Sequence, residues 1–540
     1  MRLLWWLFWI ASPAFAQSYD LVVYGGTAGG VITAVAAARE GLHVALLEPG
    51  RHVGGMISGG LGFTDYGRKE VIGGYALEFY WRLGRYYQMS RYGQELAWLH
   101  EPHVAEQIFR DMLSEAGVTV LYGQQLHGVA KSAAHITSIA MENGAVYTAP
   151  VFADSSYEGD LMARAGVHYT WGRESTAQYG ESLAGVRGVT PFHQFEVDVP
   201  AFDAEHHLLP EISSGVPGPT GAADRLVQAY NFRLCLCDSA DRVPIAMPPG
   251  YRAERYELLR RLIAARASQE GAVPPLRTLM TLDRLPNGKT DVNNNGAFST
   301  DFIGGSWNYP EASPAERHKI GLAHQNYQQG LLYFLAHDAQ VPSGLRAEMN
   351  GWGLCRDEFT DNGHWPRQLY IREARRMVGA YVARQSDLQT DLTKPDPIGM
   401  GSYNSDSHNV RRYADAHGFA RNEGDMQVAV QPYQIPYRAI VPQRADAENL
   451  LVPVAFSASH VAYSSMRMEP QYMIIGQAAG VAAAMAVHAK LAVQDVDTSA
   501  LAAQLESQGA ILHYEPSRQQ AVLQLIRKRI TSSAPRTSSR

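Results

Sequence analysis

Cysteine is scarce in this sequence, whose 540 residues include only Cys235, Cys237 and Cys355. Cys235 and Cys237 are too close in sequence for an easy disulfide, and Cys355 is then left over. The sequence therefore lacks the disulfide framework of many exported proteins, and we interpret all three cysteines as small buried residues.

An excess of positive charge is also absent, because 47 Lys and Arg accompany 53 Asp and Glu, for a net charge of −6. This balance gives no reason to expect nucleic acid or an anionic membrane surface as a partner. The composition, 46% hydrophobic and 19% charged, is that of an ordinary globular protein. The length predicts two or three lobes with a large core.

Long apolar runs are few, and the first lies near residue 1. Arg2 precedes the apolar stretch Leu3 to Ile10, and the letters AFA that follow fit the small-x-small cleavage rule. Residues 1–16 are therefore predicted to be a signal peptide cleaved after Ala16, which implies a periplasmic or secreted protein. The second run, Met473 to Ala489, contains glycine, glutamine and histidine, and we interpret it as a buried helix without stable membrane insertion.

The most informative motif is VVYGGTAGG, close to the predicted mature N-terminus. Asp20 to Tyr24 reads as a buried strand, Val31 to Arg39 as an alanine-rich helix, and Val44 to Glu48 as a second strand that ends in an acid. A glycine-rich turn inside such a βαβ unit is typical of dinucleotide-binding domains, because the helix N-terminus offers free N–H groups to a pyrophosphate.

Thr27 occupies the place in this turn where the usual fingerprint has its middle glycine. A threonine fits there if its φ angle is negative, and its hydroxyl can then donate to a phosphate. Glu48 lies about 20 residues beyond the turn, where the fingerprint expects an acid that accepts from a ribose hydroxyl and disfavours NADP. The residues predicted to bind the dinucleotide are Gly25, Thr27, Ala28, Gly29, Gly30 and Glu48.

The sequence resembles the bacterial FAD-dependent oxidoreductases of the glutathione-reductase-like superfold, in order and over nearly the whole mature chain. The segments that carry the resemblance are YDLVVYGGTAGG, LLEPGRHVGGMISGGLGFTD, EPHVAEQIFRDML, VFADSSYEGDLMARAG, YNFRLCL, HWPRQLYIREARRMVG and SASHVAYSSMRMEPQYMIIGQAAG. In that family the first turn is commonly GGT, so Thr27 is a family feature. The resemblance implies FAD as the cofactor, with Gly54, Gly55 and Met56 in a segment that runs along its diphosphate and under its isoalloxazine ring.

The resemblance also implies an α/β fold: a discontinuous Rossmann-type FAD-binding domain with an inserted α+β substrate or cap lobe. The two FAD-binding parts are predicted at residues 17–170 and 431–490, and the inserted lobe, rich in proline, glycine and aromatics, at 171–430. Residues 491–540 are predicted to form a helical segment followed by a polar tail that is disordered from Thr531.

Asp154 is a candidate cofactor ligand because similar flavoproteins have an acid or threonine at the end of this strand, close to FAD. Glu158 is a second candidate nearby. The alternative is that Asp154 or Ser156 caps the helix that follows. The strands predicted beyond the first βαβ unit are Gly117 to Leu121, Thr137 to Met141, Pro150 to Asp154 and Asn449 to Val454.

His460 is the candidate catalytic base. It lies in the segment SASHVAY between the returning strand and the last long helix, and in the superfold this loop faces the flavin. An imidazole with a pKa near neutrality could take a hydroxyl proton while hydride leaves the adjacent carbon. The alternative is a histidine that only fixes the loop, in which case His364 or Tyr463 becomes the candidate base.

Arg467 and Glu469 come just before Pro470, a favoured first residue of a helix. The N-terminus of that helix, with Arg467 beside it, is expected to stabilise negative charge on reduced flavin. Arg467 is therefore a catalytic candidate and Glu469 a cofactor-binding candidate. The alternative is a structural Arg467–Glu469 arrangement that ties the loop to the helix.

No metal site is predicted. The run from Asp291 to Gly296 matches the first half of a calcium loop, but Phe302 replaces the bidentate glutamate, which favours an asparagine-rich turn in the substrate cleft.

Aromatic residues that could stack on a sugar, with a core role as the default, are Trp307, Tyr309, Trp352, Trp365 and Tyr370. The stretch WPRQLYIREARRM is predicted helical, with a salt-bridged face formed by Arg367, Arg372, Arg375 and Arg376.

Together these features predict an exported FAD-dependent dehydrogenase or oxidase that takes hydride from a hydroxyl-bearing carbon of a small molecule, with sugars among the candidates. An exported protein meets no free NADPH pool, so the expected electron acceptor is a quinone, a cytochrome or O2. Two alternatives remain open. One is a redox-neutral flavin lyase or isomerase, and the other is a non-catalytic, FAD-containing glycan-binding protein.

Overall fold

The computed structural model describes residues 16–533. The predicted signal peptide lies outside these residues apart from Ala16, and so does the predicted polar tail from residue 534 onward. The strands are β1 (Gln17–Ser18), β2 (Leu21–Tyr24), β3 (Val44–Glu48), β4 (Thr119–Tyr122), β5 (Leu126–Ser132), β6 (His135–Met141), β7 (Val146–Thr148), β8 (Val151–Asp154), β9 (Tyr169–Thr170), β10 (Leu234–Cys237), β11 (Asp283–Arg284), β12 (Lys289–Val292), β13 (Gly353–Leu354), β14 (Arg376–Met377), β15 (Pro397–Gly401), β16 (Ser405–Ser407), β17 (Arg411–Ala414), β18 (Ala420–Glu423), β19 (Met426–Val428), β20 (Tyr433–Pro436) and β21 (Leu450–Leu451). The α-helices are α1 (Ala28–Arg39), α2 (Gly55–Ser58), α3 (Gly74–Tyr86), α4 (Pro102–Ala116), α5 (Asp160–Arg164), α6 (Thr176–Tyr179), α7 (Glu257–Glu270), α8 (Pro314–His337), α9 (Ser343–Asn350), α10 (Gln385–Gln389), α11 (His460–Met466), α12 (Glu469–Ala489), α13 (Thr498–Ser507) and α14 (Arg518–Ser533).

A five-stranded parallel sheet, in the order β21-β8-β2-β3-β4, contains the βαβ unit predicted from the sequence. Its three central strands are almost entirely buried, as expected for a parallel sheet covered on both faces. β2 pairs with β3 on one side and with β8 on the other, so the strand order reverses at β2. The carboxyl ends of these strands meet at one edge, which places the turn Gly25–Gly30 beside Glu48 and Asp154.

α1 and α12 pack closely against each other because glycines line their contact. A Cβ atom on Gly476 would lie 2.3 Å from the carbonyl oxygen of Gly29, and one on Gly480 would lie 2.3 Å from that of Thr33. α12 is long and apolar enough to cross a membrane, yet 78% of its most apolar window is buried inside the protein. This is the position of the buried helix that the sequence predicts.

Smaller sheets form the rest of the described chain. One four-stranded sheet has the order β1-β7-β6-β5. A second four-stranded sheet, from the middle of the chain, is antiparallel and has the order β11-β12-β10-β13. Two-stranded pairs are formed by β14 with β9, β15 with β20, β16 with β19, and β17 with β18. The boundaries of the inserted lobe stay a prediction.

The stretch WPRQLYIREARRM is not helical, contrary to the prediction. It runs without regular structure into β14. The Tyr370 amide donates to the Asn231 carbonyl at 2.9 Å, and the Arg372 guanidinium donates to the Ala229 carbonyl at 2.7 Å. Both hydrogen bonds go to residues that are distant in the sequence. These tertiary contacts determine the local conformation, although the spacing of the arginines suits a helix.

Two boundaries also differ from the predictions. The returning strand covers only Leu450–Leu451 rather than Asn449 to Val454. α14 continues to Ser533, so the residues from Thr531 that were predicted to begin a disordered tail are helical. By contrast, β4 and β6 lie where strands were predicted.

Candidate active site

The glycine-rich turn between β2 and α1 is held in place by Thr27. Thr27 has φ −62° and ψ 170°, which meets the negative-φ condition, and it is the N-cap of α1. Its hydroxyl accepts from the Gly30 amide at 3.1 Å and donates to the Ser155 carbonyl at 2.8 Å. The cap starts α1 at Ala28 rather than at Val31 and leaves first-turn amides at the edge of the sheet.

The turn can be formed only with glycine at Gly25. This residue has φ +97°, and a Cβ atom on it would lie 2.6 Å from the Ser156 amide nitrogen. The turn lines a cavity of about 420 Å³ together with Glu48, Tyr309 and Arg367. A helix N-terminus and an acid at one cavity are what a pyrophosphate and a ribose require, so these residues fit the nucleotide half of FAD.

Glu48 lies against the turn with both carboxylate oxygens engaged. Its Oε2 accepts from the Gly26 amide at 2.8 Å and its Oε1 accepts from the Gly50 amide at 2.6 Å. Burial raises the pKa of Glu48 to about 7. A hydrogen-bond donor placed against this carboxylate, such as a ribose hydroxyl, would favour its charged form.

The second glycine segment passes directly beside the first turn. Gly54 and Gly55 have φ +100° and +53°, and the Gly54 amide donates to the Gly26 carbonyl oxygen in the first turn at 2.7 Å. The Met56 amide donates to the Tyr157 hydroxyl at 2.9 Å, and that hydroxyl donates to Glu469 Oε1 at 2.7 Å. Burial raises the pKa of Glu469 to about 8. The structure thus joins the predicted cofactor residues Met56 and Glu469 through one tyrosine.

Asp154 is fully buried, and its carboxylate is used inside the protein. Its Oδ1 accepts from the Ser156 amide and hydroxyl at 3.0 and 2.7 Å, and its Oδ2 accepts from the Met162 amide at 2.7 Å. These contacts favour the capping alternative over a cofactor contact. Glu158 does line the cavity, where it accepts from the Tyr309 hydroxyl at 2.8 Å.

A second group of polar side chains surrounds the ladder of β16 and β19. Buried polar atoms in folded proteins almost always have hydrogen-bond partners. Several in this group have none among residues 16–533: Arg187 Nε, His193 Nδ1, Arg372 Nε, Ser405 Oγ, Asn409 Nδ2, both carboxylate oxygens of Asp425, and Arg467 Nε. We use the name polar chamber for this cluster of side chains, which consists of these residues together with Asp301, Asp406 and His408.

His408 is the centre of the contacts that join the polar chamber. Its side chain is buried, with Nδ1 2.7 Å from Asp301 Oδ2 and Nε2 3.7 Å from Asp406 Oδ2. Asp406 Oδ2 lies 3.3 Å from Arg467 Nη2, and Asp301 Oδ1 lies 3.2 Å from Arg372 Nη2. One histidine therefore connects two arginines through two carboxylates.

Asp425 and His408 lie at the same end of the ladder. β16 and β19 run antiparallel and their last pair is Ser407 with Met426, so Asp425 and His408 are each the residue adjacent to that pair in the sequence. Burial, and secondly the charge of Asp406, raise the pKa of Asp425 to about 8. Its carboxyl group therefore holds a proton at neutral pH and can donate a hydrogen bond.

His460, the base candidate from the sequence, is the first residue of α11. Its amide donates to Glu174 Oε2 at 2.9 Å, and its Nδ1 lies 2.8 Å from Glu373 Oε2. Both carboxylates pair with the Arg376 guanidinium. Burial, and secondly the charge of Arg376, lower the pKa of His460 to about 3. The imidazole is thus neutral at pH 7 and lies within an ion-pair network.

Gln228 links the two histidines. Its Nε2 donates to Glu373 Oε2 at 3.1 Å, and its Oε1 accepts from the His408 amide at 3.0 Å. The fallback candidates lie in other networks: Tyr463 contacts the Tyr472 hydroxyl at 2.8 Å, and His364 Nδ1 lies 3.1 Å from a backbone carbonyl. The sequence candidates His460 and Arg467 are therefore in the same region as the polar chamber, whereas His364 and Tyr463 contact other groups.

The asparagine-rich turn reaches the polar chamber. Asp291 pairs with Arg233 at 2.7 Å, and Asn293 Oδ1 lies 3.3 Å from Arg372 Nη2. Tyr370 is the aromatic candidate closest to these charges, with the Arg372 guanidinium 4.7 Å from its ring centre. Asp291, the one acid in the run Asp291 to Gly296, is thus used to pair with an arginine.

One cluster elsewhere has a spacing that suits a metal ion, formed by Glu101, His103, Asp357 and Glu358. The Lys289 ammonium lies 2.7 Å from a carboxylate oxygen of each of the three acids. A protein cation thus neutralises these carboxylates.

Eight residues of the polar chamber were not predicted from the sequence, among them Asp301, Asp406, His408 and Asp425. A signal for two of them was present in the run YNSDSHN, where an acid and a histidine are two residues apart in an unusually polar segment. No local signal pointed to Asp301, which meets His408 from 107 residues away.

The fold and the first site define the class of the molecule: a Rossmann-type dinucleotide-binding protein with a flavoprotein-like second glycine segment. A family model described as FAD dependent oxidoreductase matches residues 20–505. The chain therefore belongs to the FAD-dependent oxidoreductase family, it is an enzyme, and its cofactor is FAD.

Several solved structures are similar to part of the chain. The T. acidophilum thioredoxin reductase is 20% identical over 26% of this chain and 35% of its own, with a TM-score of 0.17. Thermovibrio ammonificans THI4 is 20% identical over 29% of this chain and 66% of its own, with a TM-score of 0.21. L-proline dehydrogenase from P. horikoshii is 15% identical over 30% of this chain and 59% of its own, with a TM-score of 0.23.

The chain thus spans from 35% to 66% of the length of these structures. Likeness at such TM-scores carries no information about activity. No curated protein sequence matches the chain.

Proposed function

We propose that this enzyme oxidises a hydroxyl-bearing carbon of a neutral, polyhydroxylated small molecule such as a sugar. The observation that carries the proposal is the mixture of unpaired donors and acceptors in the polar chamber. Arginine, asparagine and histidine nitrogens can donate there, the oxygens of Ser405 and Asp425 can accept, and a sugar hydroxyl does both. An anionic substrate would meet carboxylates as well as arginines, so it would gain little from the positive charges.

The cofactor would be held by the residues of the first site. The turn Gly25–Gly30 fits the pyrophosphate, Glu48 fits a ribose hydroxyl, and the backbone of Gly54 and Gly55 continues toward Glu469. When bound, FAD supplies a two-electron acceptor that takes a hydride. Arg467 caps the C-terminus of α11 beside the N-terminus of α12, where its charge stabilises negative charge that develops nearby.

Oxidation of an alcohol also releases the hydroxyl proton, which needs an acceptor in the site. A neutral imidazole bonded to a carboxylate at Nδ1 can accept a proton at Nε2. His408 and His460 both have this arrangement, and burial lowers their pKa values to about 4 and about 3. Both rings are therefore neutral, and thus able to accept a proton, at pH 7.

The reaction takes place outside the cytoplasm in this proposal, which rests on the signal-peptide pattern of residues 1–16. Reduced cofactor would then be reoxidised by a quinone, a cytochrome or O2, because free nicotinamide is not available there.

Anaerobic mixing of the FAD-loaded protein with a panel of neutral sugars and polyols tests the proposal, with 2-hydroxy acids as anionic controls. We expect at least one sugar or polyol to bleach the flavin absorbance permanently, and the 2-hydroxy acids to be much slower. Return of colour without oxygen would indicate a redox-neutral lyase or isomerase. Absence of bleaching by every sugar and polyol contradicts the proposal.

A further inference from the structure

Two histidines in this region, His408 and His460, have a carboxylate at Nδ1, but their surroundings differ. Around His460, the carboxylates of Glu174 and Glu373 both pair with the Arg376 guanidinium. All three charged side chains are almost completely buried. Separating either carboxylate from the guanidinium would leave a buried charge unpaired, which is costly. The neighbourhood of His460 is therefore that of a structural network.

His408 also lies beside a buried ion pair, formed by Asp301 and Arg372, but several polar atoms around it have no hydrogen-bond partner. Its Nε2 makes no hydrogen bond within the part of the chain that the structure describes, although Nδ1 is fixed by Asp301. On its own segment, Ser405 Oγ and Asn409 Nδ2 lack partners, and so do both oxygens of Asp425 at the same end of the ladder. Buried groups of this kind gain most from a ligand that supplies the missing hydrogen bonds.

The charges around His408 also suit a proton acceptor. The Asp301 carboxylate contacts Nδ1, and Asp406 lies 3.7 Å from Nε2, so an imidazolium would face negative charge on both sides. The Arg372 guanidinium, paired with Asp301, opposes protonation before substrate binds. The ring is thus neutral at rest and stabilised once it has taken a proton.

We propose that His408, oriented by Asp301, is the catalytic base of this enzyme and takes the substrate hydroxyl proton at Nε2. The inference rests on the proposed function and names its base. In this step the O–H bond breaks and its proton moves to Nε2, while the O–H electron pair forms the C=O bond. The adjacent C–H bond breaks, and its hydride reduces FAD, so the alcohol is oxidised to a carbonyl compound.

A matched pair of variants, His408→Asn and His460→Asn, tests the assignment. An asparagine amide can donate to Asp301 or to Glu373 where the imidazole Nδ1–H did, but it offers no second nitrogen to accept a proton. With the panel sugar or polyol that reduces the wild type fastest, single-turnover flavin reduction per bound FAD should fall about 10²–10⁴-fold in His408→Asn. His460→Asn tests the alternative base, and its rate of flavin reduction per bound FAD should fall far less than that of His408→Asn.

A second measurement does not depend on turnover. Nitrogen NMR of FAD-loaded protein labelled at histidine, with the His408 signals identified by their loss in His408→Asn, reports which ring nitrogen carries the proton. We expect Nδ1 of His408 to be protonated and Nε2 to be bare at neutral pH, and Asp301→Asn to mix the two tautomers. A merely structural histidine whose Nε2 carries the proton would show the reverse pattern.

The outcomes separate the two proposals. Near wild-type flavin reduction in His408→Asn, or a proton on Nε2 of His408, overturns the assignment of His408 and leaves the proposed function intact. A slow His460→Asn beside a normal His408→Asn would assign the base to His460. Failure of the wild type to be reduced by any sugar or polyol overturns the proposed function itself.

Discussion

At the scale of single residues, Glu48 connects the first turn to the ribose that the turn is expected to bind. Glu48→Ala should remove a hydrogen bond to a charged acceptor, about 1.5–3 kcal/mol, and weaken FAD binding roughly tenfold or more. Titration of FAD into dialysed protein measures this change. Glu142→Ala, which removes an exposed carboxylate, is the control and should bind FAD normally. Equal FAD affinity in Glu48→Ala and wild type would show that Glu48 does not contact the cofactor.

Asp154 tests the capping alternative at the same edge of the sheet. Asp154→Asn replaces one acceptor oxygen with an NH2 group that faces the Ser156 or Met162 amide, at a cost of about 1–3 kcal/mol. We expect a lower unfolding temperature and an unchanged FAD content, measured by thermal denaturation and by absorbance. Loss of FAD without loss of stability would restore Asp154 as a cofactor ligand.

The contacts among the residues predicted for the first site follow from the sequence because the chemistry of the turn is local. Gly25, Thr27 and Glu48 lie within one βαβ unit, where spacing alone determines which backbone amides face the acid. His408 and Asp301 could not be predicted in this way. Their contact depends on two segments that meet only in the folded protein, and neither segment has a period that indicates it.

At the scale of elements, the contact between α1 and α12 depends on Gly480. A Cβ atom there would lie 2.3 Å from the Thr33 carbonyl oxygen and 2.7 Å from the Ala36 Cβ. Gly480→Ala should therefore separate the helices and destabilise the protein by about 1–3 kcal/mol. It should also weaken FAD binding, because α1 begins at the first turn.

Gly344→Ala is the matched control for this prediction. Gly344 also lies in a helix, α9, but a Cβ atom there would meet no atom within 4 Å. The control should leave the unfolding temperature unchanged or raise it slightly, because alanine favours helix formation. If both substitutions had the same effect on unfolding and on FAD binding, close packing of α1 and α12 would not explain the role of Gly480.

A helix or strand could be predicted where its sequence pattern depends only on residues close together in the chain. α12 was predicted because an apolar run with small residues favours a buried helix wherever it packs. WPRQLYIREARRM was predicted wrongly because the spacing of its arginines does not reveal their partners. Arg372 bonds to the Ala229 carbonyl and Arg376 to the Gly172 carbonyl, so tertiary contacts rather than helical spacing determine the backbone path.

At the scale of the whole molecule, the two candidate sites differ in how they are assembled. The candidate FAD site lies at the carboxyl edge of one parallel sheet, where the turn, Glu48 and the second glycine segment converge. The polar chamber is assembled from segments that begin near Arg187 and end at Arg467. This assembly makes the chamber sensitive to the overall fold, and its buried acids are expected to couple protonation to stability.

Asp425 and Glu469 carry this coupling, because burial raises the pKa of each to about 8. Their pKa values in the unfolded chain are near 4, so the folded protein binds these protons more tightly than the unfolded chain does. Their contribution to stability is therefore complete below pH about 4 and is lost as the pH rises through about 8. Around neutral pH, the wild type should lose stability with each step toward alkaline conditions.

Asp425→Asn removes one of these titrations, because asparagine is neutral at every pH. Thermal unfolding at saturating FAD should show the variant gaining on the wild type by a few degrees between pH 5 and pH 9. Asp301→Asn is the control of opposite sign. Burial alone would raise the pKa of Asp301, but the charges of Arg372 and His408 lower it to about 2. Asp301 therefore contributes stability that is lost only as the pH falls toward 2, and the difference between Asp301→Asn and wild type should stay constant from pH 5 to pH 9. A difference for Asp425→Asn that is equally constant would mean that Asp425 is charged in the folded protein.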